Sequence, residues 1–426
     1  MLSFLNSKIF GPLLPIFLFI CGIFLIIKLS FKPFNRPSKL IKGFMGKDSR
    51  ASFKAACLSL SGTLGVGNIA GVASAIGVGG AGSVFWMWVF ALMAMIIKYA
   101  EVVLAMRYAK HGEGGAALYM KFGLKKPILA ALFSVLILVS SIGVGNTVQS
   151  SAAAESMKVC FGIPSIITSI IFSIITLLMI YGGRKRIEAA STVIIPILSL
   201  GYIVVSLAII CVNFKMIPSI ITEILCGAFN PESFAGGALG FLFSNAIRLG
   251  ASRGILSNEA GCGTAAYAHK SKCHPAEQGI WGIFEVFVDT ILLCTLTALV
   301  VLMTPDISLN GNGIAVALEA YGQYGDWLRQ FIGISTAIYA LASVVCWSYY
   351  GISSVNYLGG KRNSRRLYLL IYSLAGILGS VFSPSLVWEI SDISVSVMTI
   401  INTTCVLLLW REVKESTDEY YDQQTG

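Results

Sequence analysis

A glycine-rich stretch, SGTLGVGNIAG, contains the residues with the clearest potential for binding chemistry. It places Gly62, Gly65 and Gly67 close together in a run that is otherwise largely apolar. A helix interrupted inside a membrane frees amides, which attract a carboxylate, and carbonyls, which are ligands for a cation. Such a break is tolerated only where it lines a cavity or is buried in protein. An amino acid carries both charges, so unwound backbone here would suit a zwitterion bound together with a metal ion.

Two other interpretations of these glycines compete with a binding site. Gly67 and Gly71 form a G-x-x-x-G pair, which lets membrane helices approach closely. The run 77–82 matches the dinucleotide-binding pattern G-x-G-x-x-G, but no strand precedes it and no βαβ unit surrounds it. The residues alone therefore leave packing and unwinding open and argue against nucleotide binding.

Polar side chains inside the apolar runs are a second set of candidates. Asn146 and Gln149 lie three residues apart on one helical face, and they either bond between helices or contact a substrate. Ser343 either gives its hydroxyl to a small cation or bonds back to its own helix. Trp347, one turn later, either walls a pocket or anchors the chain at the membrane interface.

Charged residues inside the apolar runs need neutralisation. Lys98 and Glu101, three residues apart, are predicted to pair with each other. Glu285 and Asp289 lie four apart and require a cation, a proton or a partner such as Arg248. Because these acids can also relay protons, proton coupling stays open as an alternative to a metal ion.

The composition indicates which elements position these residues. Hydrophobic residues make up 56% of the 426-residue chain and charged residues only 12%, with a mean hydropathy of +0.78. Soluble domains carry about 25% charged residues, whereas apolar runs of about 20 residues, long enough to cross a bilayer, recur here. The sequence therefore predicts an all-α polytopic protein embedded in the lipid bilayer. The eleven predicted transmembrane helices are 9–30, 52–78, 84–109, 127–156, 163–182, 188–212, 235–266, 277–303, 328–357, 366–383 and 386–410.

Charge distribution predicts the orientation of the chain. Lysines and arginines cluster in alternate loops, including 28–54, 107–126 and 361–366. This alternation follows the positive-inside rule, so we expect the amino terminus outside and the carboxyl terminus in the cytoplasm. The net charge of +10 thus orients the protein and requires no nucleic-acid partner.

Spans two and seven are both interrupted by glycines, those of span seven being Gly250, Gly254, Gly261 and Gly263. Each begins a run of five spans, and an odd number of crossings makes the second run enter from the opposite face. Paired interruptions in two inverted halves point to a secondary-transporter site, which favours unwinding over packing. The predicted segments are an accessory transmembrane helix at 1–30, five-helix repeats at 52–212 and 235–410, and a cytoplasmic tail at 411–426. The polar end of this tail, STDEYYDQQTG at 416–426, is expected to be frayed.

Several motifs, in order, resemble those of the alanine-or-glycine:cation symporter family, the sodium:alanine symporters. They are GVGNIAGVASAIGVGGAGSVFWMWVFALMAMIIKYAEVVLAMRY, RGILSNEAGCGTA, HPAEQGIWGIFEVFVDT and LVWEISD. The resemblance covers about residues 52–405. It implies a leucine-transporter-like fold of five-plus-five inverted helices with discontinuous helices. It also implies movement of small neutral amino acids with sodium, sometimes with protons.

The resemblance further implies a set of site residues. The substrate would lie against the first break, the span-four glutamine, the second break and a pocket tryptophan: Gly65, Val66, Gly67, Asn68, Gln149, Ile255, Ser257 and Trp347. Asn146 joins this set as the neighbour of Gln149 in the polar pair. Sodium would lie between carbonyls near Ser61 and Leu64 and the hydroxyl of Ser343.

Three places depart from the family pattern, one of them TAAYAH after Gly263, where Ser-Ala-Pro-Asn is more usual. Val66 stands where threonine is frequent, which removes a hydroxyl beside the substrate. Span nine has Ala342 and Ser343 where two hydroxyl residues are usual, which leaves one oxygen fewer for a cation. The choice of substrate and ion therefore stays open within the family.

The expected function is sodium-coupled symport of alanine, glycine or both into a prokaryotic cell, across the cytoplasmic membrane, by alternating access. The alternatives are proton-coupled symport of the same substrates and a sensor that binds amino acids without transport. An enzyme is not expected, because the only histidines of the chain, His111, His269 and His274, lie near loops. No cofactor is expected beyond the coupling ion.

Overall fold

The structure is a computed structural model, and it describes residues 11–35, 49–229, 245–270, 272–305, 307, 312–379 and 384–422. The regular elements in these ranges are helices, as predicted. The main helices are α1 (Gly11–Lys28), α2 (Ser49–Thr63), α3 (Ala70–Gly79), α4 (Gly82–Tyr108), α5 (Pro127–Phe161), α6 (Ser165–Ile180), α7 (Gly183–Val212), α8 (Ile217–Ala228), α9 (Asn245–Asn258), α10 (Pro275–Met303), α11 (Gly313–Gly322), α12 (Asp326–Tyr357), α13 (Arg362–Leu378), α14 (Pro384–Leu408) and α15 (Trp410–Asp422).

Six helices in the described ranges are long and apolar enough to cross a membrane, or seven if the bent pair α2–α3 counts as one span. On α7, Ile197, Leu200 and Val204 follow helical spacing and are each more than half exposed, with exposed fractions of 65%, 62% and 58%. Such an apolar stripe suits lipid rather than water. The multi-pass architecture is confirmed, and the number eleven stays a prediction. The predicted start of span seven, 235–244, lies outside the described residues.

The first break separates α2 from α3. Helix α2 ends at Thr63, a short 3₁₀ turn covers Val66–Asn68, and α3 begins at Ala70. The two helices are bent by 64° relative to each other. The interruption predicted from the glycines at 62–67 is therefore present in the fold.

The second break follows α9, which ends at Asn258. The chain then takes left-handed backbone angles at Glu259, Gly261 and Gly263, with φ of 53°, 81° and 84°. Left-handed backbone cannot continue a right-handed helix, so the span is discontinuous here. The prediction that Gly250 and Gly254 also interrupt it is wrong, because both are helical residues of α9.

Helix α4 packs against both α9 and α10. A Cβ on Gly250 of α9 would lie 2.5 Å from the carbonyl oxygen of Ser83, and one on Gly279 of α10 would lie 2.7 Å from the Tyr99 ring. Glycine therefore permits close helix contact at both places. The three helices form one packed group beside the two breaks.

The C-terminal segment forms a helix up to Asp422, so the prediction of a frayed end is wrong for 416–422. The last part of that prediction, 423–426, lies outside the described residues. Val413, Thr417 and Tyr421 recur every four residues and are fully buried, so one face of α15 packs on the protein. The Lys32 Nζ atom contacts carboxylate oxygens of Asp418 and Asp422, each at 2.7 Å. Most polar residues of this segment lie on the faces of α15 that do not pack on the protein.

Candidate functional site

The first break replaces helical hydrogen bonds with contacts to side chains. The backbone N–H of Gly65 donates to Asn68 Oδ1 at 3.3 Å, and the N–H of Val66 donates to Gln149 Oε1 at 3.3 Å. In a continuous helix these N–H groups would donate to the carbonyls four residues earlier. The break thus releases two carbonyls of α2 from their helical partners.

The glycines of the break also allow close packing. A Cβ on Gly65 would lie 2.7 Å from Gln149 Oε1, and one on Gly67 would lie 3.0 Å from the Cα atom of Ser257. By contrast, a Cβ on Gly71 would make only an ordinary contact, 3.8 Å from Arg253. Unwinding and close packing, which the sequence left as alternatives, are therefore both present, with the tight contacts at Gly65 and Gly67.

Asp289 of α10 links the two broken spans. Asn68 Nδ2 donates to Asp289 Oδ1 at 2.8 Å, and Ser257 Oγ donates to Asp289 Oδ2 at 2.7 Å. Asn68 belongs to the first break and Ser257 to the last turn of α9. The suggested partner Arg248 bonds Asn245 Oδ1 instead.

Ser343 of α12 reaches the backbone of the first broken span. Its hydroxyl donates to the carbonyl of Gly62 at 2.9 Å. The hydroxyl of Ser61 donates to the carbonyl of Leu58 at 2.7 Å and accepts from Ser191 at 3.0 Å. Ser343 therefore contacts a carbonyl in the last turn of α2, next to the first break, and the back-bond to its own helix is not the contact observed.

Trp347 is only 1% exposed, so it is not an interface anchor. Its Nε1 donates to Glu259 Oε1 in the second break at 3.1 Å. A Cβ on Gly145 would lie 2.4 Å from the Trp347 ring, so the indole rests directly on the backbone of α5. The tryptophan joins α5, α12 and the second break.

Asn146 makes contacts between and within helices. Its Nδ2 donates to the carbonyl of Tyr372 in α13, and its Oδ1 accepts from Ser150 at 2.9 Å. Ile255 and Ser257 lie in the last turn of α9, so their predicted place inside the second break is wrong. Helix α9 continues to Asn258 because left-handed backbone begins only at Glu259.

The predicted Lys98–Glu101 pair is also wrong. Lys98 Nζ lies 3.2 Å from Glu285 Oε2 on α10, whereas Glu101 accepts from the backbone N–H of Gly261 at 3.1 Å. Glu285 Oε1 also lies 2.8 Å from His269 Nε2. Neighbours in sequence therefore bond to different elements.

A small pocket opens beside the first break, with an empty volume of about 210 Å³ that includes space open to solvent. Its lining consists of Leu64, Gly65, Asn68, Ile69, Tyr202, Leu293 and Tyr339. The sequence interpretation missed Tyr202 and Tyr339. The available signal was a tyrosine inside an apolar span, since a buried phenol usually needs a partner. Tyr202 bonds Thr297 at 2.6 Å and Tyr339 bonds Ser199 at 3.1 Å.

The arrangement is chemically suited to binding rather than to bond making. In the described part of the chain, no three or more His, Cys, Asp or Glu side chains are placed to hold a metal ion. Near the first break, the available groups are backbone carbonyls, hydroxyls, amides and the carboxylate of Asp289. Hard cations take oxygen ligands, and half-helix ends bind charged groups of small solutes.

Comparison with known proteins gives the family. The whole chain, residues 1–426, matches the model of the sodium:alanine symporter family. The sodium/alanine symporter AgcS of Methanococcus maripaludis is 34% identical over 440 residues, covering 97% of this chain and 95% of AgcS. The probable sodium/glutamine symporter GlnT of Bacillus subtilis is 31% identical over 433 residues, covering 98% of this chain and 90% of GlnT.

A solved structure shares the fold. MhsT in complex with L-phenylalanine matches with a TM-score of 0.65 at 17% identity, covering 88% of this chain and 93% of MhsT. MhsT has the leucine-transporter fold, so the predicted fold class is confirmed. Together with the full-length family match, these likenesses show that the chain belongs to the sodium:alanine symporter family and is a membrane transporter, not an enzyme.

Proposed function

We propose that the protein imports alanine, glycine or both together with sodium, by alternating access. The observation that carries this proposal is the 64° break between α2 and α3, where backbone N–H groups turn to the side chains of Asn68 and Gln149. Broken helix at membrane depth offers backbone groups to both charges of a zwitterion. AgcS is named for alanine and GlnT for glutamine, so family membership alone does not choose the substrate.

The proposed substrate site combines the first break with the end of α9 and with α12. Backbone and amide groups would orient the amino acid, and apolar side chains would limit its size. A methylene that fits gains about 0.8 kcal/mol, whereas one that does not fit is penalised. The proposed contacts are Gly65, Val66, Gly67, Asn68, Gln149, Ile255, Ser257 and Trp347. Asn146 enters as the residue that holds α5 against α13 and so positions Gln149.

The proposed sodium ligands are carbonyls near Ser61 and Leu64 and the hydroxyl of Ser343. The bond from Ser343 to the Gly62 carbonyl supports this assignment, because it brings the hydroxyl to the released backbone. Sodium is a hard cation, for which hydroxyl and carbonyl oxygens are suitable ligands. Binding of the ion would fix the break in the geometry that the amino acid requires.

In the membrane, the proposal places the amino terminus outside and the carboxyl terminus in the cytoplasm of a prokaryote, with repeats at 52–212 and 235–410. The close packing of α4, α9 and α10 supports their movement as one group with the α2–α3 pair. Rocking of this group against α5, α7 and α12 would expose the site to each side in turn.

The test is uptake of labelled alanine, glycine and glutamine by proteoliposomes containing the full-length protein. We expect saturable uptake of alanine, glycine or both, driven by an inward sodium gradient. Uptake driven by a proton gradient in the absence of sodium would favour the proton-coupled alternative. Ligand binding without flux would favour a sensor, and uptake of glutamine in preference would change the proposed substrate class.

A further inference from the structure

The charged side chains buried in the described part of the chain do not balance. They comprise four acids, one lysine and one histidine: Glu101, Glu259, Glu285, Asp289, Lys98 and His269, each at most 4% exposed. Ionised groups in a membrane interior are costly unless they are paired or bound to a ligand. At least one carboxylate therefore requires a proton or another cation.

Three of the four acids have several partners. Glu285 accepts from Ser59 at 2.7 Å in addition to its contacts with Lys98 and His269. Asp289 accepts from Asn68, Ser257 and Thr290. Glu101 accepts from the N–H of Gly261 and from Asn402 Nδ2, and it faces the N–H groups of Gly263 and Ala266.

Glu259 has the fewest donors of the four. Its Oε1 accepts from Trp347 Nε1, and its Oε2 makes no hydrogen bond of regular geometry among the described residues. Glu101 Oε1 is also without a partner there, but Glu101 Oε2 has two donors. The Thr264 hydroxyl lies within weak hydrogen-bonding reach of this carboxylate, although neither this hydroxyl nor Oε2 makes a hydrogen bond of regular geometry in the described part of the chain. A proton on Glu259 Oε2 would turn that oxygen into a donor, for which the Thr264 oxygen is an acceptor.

We propose that Glu259 is a proton-binding site that is loaded and emptied once in each transport cycle, so that a proton enters the cell with the amino acid and sodium. The inference rests on the proposed function, because it assigns a second coupling ion to the same site. The proton comes from water on the uptake side, binds Glu259 Oε2, and returns to water on the cytoplasmic side. The hydrogen bond to Trp347 connects this step to the wall of the substrate site.

The groups around Glu259 are engaged elsewhere. Lys98 of α4 pairs with Glu285 and donates to the carbonyl of Asn258 at 2.9 Å. Asp289 of α10 has the three donors described above. The remaining titratable neighbours are Glu101 of α4, Cys262 of the break, and Cys346 and Tyr350 of α12. Lys98 is the one permanent cation among the charged neighbours of Glu259 in the described residues, and it is held at Glu285.

The test uses full-length protein in vesicles that contain a pH-sensitive dye. Sodium is equal on both sides, and potassium with valinomycin holds the voltage at zero. External alanine should acidify the vesicles made with wild-type protein. The acidification should be lost in Glu259→Gln, which keeps an acceptor for Trp347 but cannot bind the proton, and retained in Glu259→Asp. Glu223→Gln, an exposed change on α8, should also retain it.

Labelled alanine is measured in the same vesicles, which separates the two proposals. Absence of amino-acid uptake by wild-type protein would defeat the proposed function itself. Sodium-dependent uptake without acidification would overturn the assignment of Glu259 while leaving the proposed function in place, whether or not the variants fold. Acidification that persists in Glu259→Gln would also overturn the assignment of Glu259. So would a Glu259→Gln variant whose alanine uptake no longer depends on sodium but still acidifies the vesicles.

Discussion

At the scale of single residues, Gly67 is where a side chain should be least tolerated. Its Cβ would lie 3.0 Å from the Cα atom and 3.4 Å from the backbone nitrogen of Ser257. Backbone cannot rotate away as a side chain can, so leucine here would force α9 from the first break. We expect Gly67→Leu to insert normally and to lose uptake of labelled alanine. Gly143→Leu is the control, because among the described residues no atom beyond the adjoining backbone of its own helix lies within 4 Å of a Cβ there. Uptake at the wild-type level by Gly67→Leu would contradict the requirement for this contact.

Ser343 gives a prediction about the ion. Ser343→Ala removes the hydroxyl beside the Gly62 carbonyl and leaves the fold of α12 unchanged. Loss of one contact worth about 1.4 kcal/mol corresponds to a roughly tenfold higher sodium concentration for half-maximal uptake. We expect this shift with a smaller change in maximal rate. Ser348→Ala is a matched control on the same helix, since its hydroxyl bonds the carbonyl of Val345, one turn earlier on α12. An unchanged sodium requirement in Ser343→Ala would contradict the proposed ion site.

Residue types were easier to predict than residue partners. The polar groups singled out at Ser343 and Trp347 do contact the broken spans. The pairing of Lys98 was wrong, because spacing along a helix shows only neighbours on that helix, whereas Glu285 approaches from α10. Glu259 was overlooked because it stands among small residues in a glycine-rich segment, and nothing local shows that it becomes buried.

At the scale of elements, the contact between α4 and α9 depends on glycine. A Cβ at Gly250 would lie 2.5 Å from the carbonyl oxygen of Ser83, whereas a Cβ at Gly254 would only touch Met87 at 3.9 Å. We expect Gly250→Ala to destabilise the protein by about 1–3 kcal/mol, the usual cost of overpacking. Gly254→Ala on the same helix should have little effect. Thermal unfolding of both variants in detergent measures the difference, and equal midpoints would show that α9 can move away from α4 freely.

The existence of the breaks followed from glycine patterns, but their positions did not. Gly250 and Gly254 have the same composition signal as Gly261 and Gly263, yet the first two are helical and the last two are left-handed. Gly250 remains helical because the backbone hydrogen bonds of α9 continue through it, and the backbone of α4 occupies the space where a side chain would be. It fails from Glu259 onwards, where Glu101 takes up the N–H of Gly261. Such partners lie far away in the sequence, so the residues around the break do not reveal where the helix ends.

At the scale of the whole molecule, hydropathy and paired interruptions predicted an all-α polytopic protein with two discontinuous spans, and the family resemblance implied the leucine-transporter-like fold. A likeness to MhsT at 17% identity shows that the architecture tolerates almost complete replacement of side chains. This is expected when apolar length and two discontinuous helices are the main constraints. The C-terminal helix was not predictable in this way, because its order comes from packing against the rest of the chain. For example, the Arg107 Nη2 atom of α4 lies 2.6 Å from Glu415 Oε2 of α15.

The contact between α15 and the loop before α10 contains a titratable group. His274 Nδ1 accepts from the backbone N–H of Ala276 at 3.2 Å. The His274 ring stacks on the Tyr420 ring, with 5.4 Å between the ring centroids. Burial lowers the pKa of His274 below its ordinary value of 6.5, and Glu419, at 3.7 Å from Nε2, offsets only part of this effect. A proton on Nδ1 would also remove the acceptor that caps α10. The neutral imidazole is therefore the form that favours the docked tail.

We predict from this that docking of α15 weakens in mild acid. A histidine whose pKa is lowered on docking contributes its full stability above about pH 6.5, and that contribution is lost as the pH falls toward the lower, docked-state pKa. Hydrogen exchange of residues 413–421, corrected for intrinsic rates, should be faster at about pH 5.5 than at about pH 7.5. His274→Asn keeps a capping acceptor but does not titrate, so its exchange should not change over this range. If both proteins show the same acid response, the loss of docking originates elsewhere, and His274 serves only as the cap of α10.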